Sequence, residues 1–158
     1  IDMHSHLSDE QKAQGFAFSK MLEEYFYWSL LHERWFIDKN WEKLRDNYFG
    51  HIPGLIRGLV TNMIRNSTKK SAIGHGMSRH SDEQIIKFGK ETLKALSDFL
   101  AQKKFLLGET ISSYDVSLYA FISSILHSDL GPELKDEAEK YTNLKEYDLR
   151  MYDNVFGH

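Results

Sequence analysis

Three serines in this chain stand three residues ahead of a glutamine or aspartate: Ser8 with Gln11, Ser81 with Gln84 and Ser112 with Asp115. At this spacing the first side chain serves a backbone N–H inside a nascent helix, and the second turns back to the N–H of the first. Each pair opens a run in which apolar residues recur every three or four positions, and no stretch alternates as a half-buried strand would. Both prolines, Pro53 and Pro132, suit the first turn of a helix. These signals predict an all-α chain, a helical bundle forming one domain over residues 1–158.

The periodicity places the helices. The first runs from Ser8 to about Ile37, with Phe18, Met21, Leu22, Tyr25, Trp28, His32 and Trp35 in one stripe. Phe16, Phe26, Leu30 and Phe36 lie on its other faces, so it is expected to be buried on more than one side. A shorter piece covers "NWEKLRDNYF". From Pro53, Ile56, Leu59, Val60, Met63 and Ile64 mark another helix with an expected basic outer face at Arg57, Arg65, Lys69 and Lys70. After the break at "GHGMSRH", Ile85, Gly89, Leu93, Leu96 and Leu100 line one face of a helix to about Lys103. "GETISSYDV" (Gly108 to Val116) then opens a helix to about His127. There Ser112 and Asp115 are the box, Ile111 and Val116 a hydrophobic staple, and Gly108 the turn. A short acidic helix at Pro132 and a last one over "NLKEYDLRMYDNVF" complete the chain.

Composition narrows the function. At 158 residues the chain can bury a sizeable core, and a net charge of −3 argues against nucleic acid as a partner. With no cysteine there is no disulfide, thiolate metal site or cysteine nucleophile. No apolar run is long enough to span a bilayer, and a cytoplasmic location is expected. His4 and His6 beside Asp2, and His75 and His80 around the helix break, lack a convergent third ligand, so no metal is assigned. Glu23 and Glu24 read as a polar stripe, not an acid–base pair. The stripe of Tyr25, Trp28 and Trp35 reads either as core or as the lining of a wetted pocket, since buried Tyr and Trp tips need partners.

Gly108, Ile111, Ser112, Asp115 and Val116 match the G-x-x-h-(S/T)-x-x-D-h motif of glutathione transferase C-terminal domains, and the helix order around them is similar. "LSDEQKAQGFAFSKMLEEYFYWSLLHERW", "GHGMSRHSDEQI" and "NLKEYDLRMY" resemble the failed-axon-connections and metaxin-like branch. The resemblance implies that the motif is structural and that no residue of this chain is catalytic. It implies a missing N-terminal thioredoxin-like domain that binds the co-substrate glutathione, so that this chain alone is expected to be inactive. Tyr25, Trp28 and Trp35, with Arg79 at the polar end, would then bind a small apolar molecule or glutathione conjugate. A homodimer is compatible with this reading. The rival is a non-catalytic metaxin-like interaction module.

Overall fold

The structure, a computed structural model, describes residues 3–157 apart from the side chain of Leu55; Asp2, grouped above with His4 and His6, lies outside the described residues. The elements are α1 (Asp9–Lys20), a π-helical segment (Met21–Phe26), α2 (Tyr27–Trp35), α3 (Asp38–Phe49) and α4 (Gly54–His75). There follow a 3-10 turn (Met77–Arg79), α5 (Asp82–Leu100), α6 (Ser113–Leu126), α7 (Pro132–Ala138) and α8 (Thr142–Phe156). Among the described residues there is no strand, only an isolated antiparallel bridge between Phe105 and Gly108. Gly108 closes that turn at φ +140°, a conformation side chains rarely adopt.

The three boxes form. Ser8 and Ser81 each exchange bonds with the glutamine three residues on, at 2.9 to 3.3 Å. The first helix is continuous from Asp9 to Trp35 through its π segment. Of the stripe, Leu22 and His32 are buried and Phe18 and Met21 pack on the core, but beyond Leu22 the core side runs through Phe26 and Leu30, not through Tyr25 and Trp28. Phe16 is 60% exposed, so burial on several sides fails at its N-terminal end. Helix α5 lies centrally, as its buried Ile85, Leu93, Leu96 and Leu100 foretell, against α2, α7 and α8. Helix α6 packs Leu118, Ile122 and Ile125 into the same core, which α8 closes with Tyr147 and Met151.

Helix α4 is turned the other way from its expected setting. Ile56, Leu59 and Met63 are 52, 75 and 66% exposed. Arg65, assigned to an outer basic face, points inward instead. Its guanidinium donates to the carbonyls of Trp35 (2.8 Å) and Phe36 (3.1 Å), pairs with Asp38 (2.7 Å) and covers the Trp41 ring. Lys69 lies over the Phe36 ring. The end of α2 leaves carbonyls without intrahelical partners and carries the negative end of the helix dipole, so a cation is drawn there. That demand outweighed burial of the apolar face.

Candidate functional site

Two carboxylates are buried completely, and the first sits where α6 begins. Asp115 Oδ2 accepts from the backbone N–H and the hydroxyl of Ser112, both at 2.8 Å. Oδ1 accepts from the N–H of Leu106 (2.7 Å) and the hydroxyl of Tyr147 (3.1 Å). Four donors on one carboxylate tie the loop before α6 to its first turn and to α8. Burial and then Asp115 itself push the Tyr147 phenol far above its ordinary range, so it stays a donor. Ile111 packs against the core beside this knot, whereas Val116 is 51% exposed.

The second buried carboxylate, Glu33 on α2, was not anticipated. Oε1 accepts from the N–H groups of Glu133 (2.7 Å) and Leu134 (3.3 Å), at the start of α7. Oε2 is buried without a partner. Gly131 makes room for it, since a Cβ there would stand 2.6 Å from Oε2. Burial raises the Glu33 carboxyl to about 7, against the pull of the two N–H groups. The signal lay in helical arithmetic: Glu33 stands seven residues after Phe26 and three after Leu30, both core residues, and so shares their face.

The residues singled out for ligand contact fall in two places. Tyr25 is 39% exposed and packs its ring on Phe88 of α5, which also meets His80. Burial, and then Glu91, raise the Tyr25 phenol, so it is no ready source of a phenolate. Trp28 stacks on His75 at the end of α4, with ring centres 4.6 Å apart. Exposed Arg79 belongs to the 3-10 turn that packs on α2 near these rings. Between them His32 is buried, with Nε2 donating to Asp82 Oδ1 at 2.9 Å; burial keeps its pKa low against the pull of Asp82. Trp35 is set apart, packed on Trp41. It lines a cavity of about 180 Å³ together with Arg34 and Tyr48.

Arg34 and Tyr48 also open onto a groove of about 590 Å³ between α6 and α8. Its walls are mostly apolar, from Val116, Tyr119 and Ala120 on α6 and Met151, Val155 and Phe156 on α8. At the Arg34 end, the guanidinium donates through Nη2 to the Ser124 carbonyl at 2.6 Å, while Nε is buried without a partner. Burial lowers the Arg34 pKa, with Glu33 and Tyr48 pulling the other way. At the rim His127 Nε2 donates to Asp148 Oδ2 at 2.7 Å; that carboxylate is buried and its Oδ1 has no partner. Among the described residues no three His, Asp or Glu side chains converge as a metal site would require. No helix there is long and apolar enough to cross a membrane. The groove can hold an apolar body with one or two polar groups, which is how small-molecule sites are built.

Residues 89–151 match the family described as "Glutathione S-transferase, C-terminal domain", and residues 1–41 match "Glutathione S-transferase N-terminal domain". The chain belongs to the glutathione S-transferase family. One relative of this transferase-like chain is "Isoprene-epoxide--glutathione S-transferase" of Rhodococcus sp. (strain AD45), 33% identical over 93% of the chain and 66% of the relative. Another is "Failed axon connections" of Drosophila melanogaster, 31% identical over 98% of the chain and 40% of the relative. The chain thus spans under two thirds of either. No solved structure matches it significantly. The match over residues 1–41 corrects the expectation that nothing of the transferase N-terminal domain is present. Its described part is helical, comprising α1, the π segment, α2 and the first turn of α3, so strand content was the wrong criterion.

Proposed function

We propose that this chain is the substrate-holding helical domain of a glutathione S-transferase-type enzyme, and that the groove between α6 and α8 receives the apolar second substrate. The observation that carries the reading is the groove itself: apolar walls, about 590 Å³, with Arg34 and His127 as polar ends. Glutathione would be held chiefly by the thioredoxin-like unit of the family. One relative's name pairs glutathione with an isoprene epoxide, and an apolar epoxide is the substrate class proposed here. The glutathione thiolate sulfur would form a bond to an epoxide carbon as the ring C–O bond breaks, and the alkoxide left behind takes a proton from solvent. This chain would contribute proximity and the exclusion of water. Trp35 belongs to the groove's extension, and Tyr25, Trp28 and Arg79 to a second contact face on α2 and the adjoining turn.

The test is loss of free thiol when the full-length protein is given glutathione and an apolar epoxide. Ala120→Phe fills the groove from an exposed position and is expected to raise KM for the epoxide about tenfold or more, the scale of one misfitted apolar group in a pocket, with the melting temperature unchanged. Unaltered kinetics would overturn the placement. The 158-residue chain alone is expected to give no turnover above background. The rival, a metaxin-like interaction module, gains if the full-length protein binds glutathione yet consumes no thiol with any apolar electrophile.

A further inference from the structure

Arg34 is a cation in an unusual position. Its guanidinium is half-buried, and Nε is sealed from solvent without a partner. Its one hydrogen bond runs to a neutral carbonyl, that of Ser124. The other inward-facing arginine, Arg65, has Asp38 at 2.7 Å; among the described residues Arg34 has no carboxylate in ion-pair contact. Glu33 beside it in sequence acts on it through space but makes no ion pair with it, its Oε1 being committed to the start of α7. Removing a charge from water without pairing it is costly, so buried guanidinium groups are found with anions. The open side of Arg34 is the groove, which offers Tyr119, Ala120, Met151 and Val155 but no acid of its own. His127 adds a second donor-bearing ring at the rim, its Nε2 held by buried Asp148.

We infer that the groove between α6 and α8 selects an amphipathic anion, a monocarboxylate on an aliphatic or aromatic body, with the carboxylate paired to Arg34 and the body along α6 and α8. The inference rests on the reading of this groove as the ligand site and narrows the proposed epoxide to one whose apolar body also carries a carboxylate. A planar guanidinium and a carboxylate match in geometry as well as charge, and such bonds are roughly twice as strong as neutral ones. An uncharged ligand of equal length would leave the guanidinium unpaired and so bind less well.

Octanoate and 1-octanol separate the two contributions, because they share a chain and differ in the head group. The protein is labelled at its methionine methyls, of which Met151 lines the groove while Met63 on α4 does not border it. Titration with octanoate is expected to shift the Met151 methyl resonance saturably, and octanol to bind about tenfold or more weakly, the scale of one charge-assisted pair. Arg34→Leu should bring the two ligands level, Arg34→Lys should keep most of the preference, and Ala120→Phe should abolish both. Equal binding of octanol and octanoate by the unaltered protein overturns the anionic preference while leaving the groove as a ligand site. A preference that survives in Arg34→Leu overturns the role of Arg34. If neither ligand shifts Met151, or if Met151 responds only to protein concentration because a second copy fills the groove, this inference and the placement of the substrate fall together.

Discussion

Asp115 and Glu33 are both fully buried carboxylates, and each holds the first turn of a helix to another part of the chain. They differ in how completely they are served. Asp115 receives four hydrogen bonds shared across both oxygens, from a loop, its own cap residue and a phenol on α8. Glu33 receives two on one oxygen, and its other oxygen meets only the space left by Gly131. A buried charge is tolerable in proportion to the donors around it. The comparison shows that equal burial can leave one carboxylate fully served by donors and another, half served, titrating near neutrality.

The sharpest way to break this contrast is to remove the better-served carboxylate. Asp115→Ala leaves the N–H groups of Leu106 and Ser112 and the Ser112 hydroxyl without their acceptor, while the Tyr147 hydroxyl keeps the Asp115 carbonyl at 3.0 Å. Buried unsatisfied groups cost about 1–3 kcal/mol each. A loss of roughly 3 kcal/mol or more in urea unfolding is expected from that sum; a loss below about 1 kcal/mol would mean the knot is not a support.

Glu33 gives the next effect, and it depends on pH. Its folded-state carboxyl is raised from 4.5 to about 7, so the folded protein holds the proton more tightly than the unfolded chain. That contribution to stability is fully present below the unfolded value and is lost as pH rises through about 7. The full span amounts to roughly 3 kcal/mol at 1.4 kcal/mol per pKa unit. Glu33→Gln, which cannot ionise, should flatten the fall in melting temperature between pH 5 and pH 8; the same slope in both proteins would show that Glu33 is not its source. The least effect is expected from Tyr147→Phe, which removes one of the four donors around Asp115 at about 1–2 kcal/mol by chemical unfolding. A cost equal to that of Asp115→Ala would show that the phenol, and not the carboxylate, organises the knot.

The sequence exposed one of these two sites and concealed the other for a physical reason. Ser112 and Asp115 are local partners, and their spacing states the geometry before any tertiary contact is known. Likewise the buried face of α5 follows from Ile85, Leu93, Leu96 and Leu100 alone. Glu33 depends on a partner a hundred residues away, the backbone of Glu133. Nothing near it in the chain announces a helix start to be capped. The setting of α4 escaped for a related reason. Amphipathic reading assumes that the apolar side turns inward, whereas Arg65 is fixed by unpaired carbonyls at the end of another helix. Arg34 and the His127–Asp148 pair were also hidden, since a groove between α6 and α8 exists only once both have packed.

The π-helical segment Met21–Phe26 has a consequence for how this chain tolerates length changes. Such a segment amounts to one extra residue accommodated without breaking the helix. Each residue of a regular helix advances the side chains by about 100° around the axis. Excising one residue here would therefore act like a turn of a key: everything beyond it rotates against everything before it. Phe18 and Leu22 could stay on the core only if Glu33 swung away from α7 and Arg34 left the groove, or the reverse. The bulge is thus the gauge that keeps two ends of a single rod aimed at two different neighbours, and a deletion of one residue would be more disruptive there than a substitution at almost any single position along it.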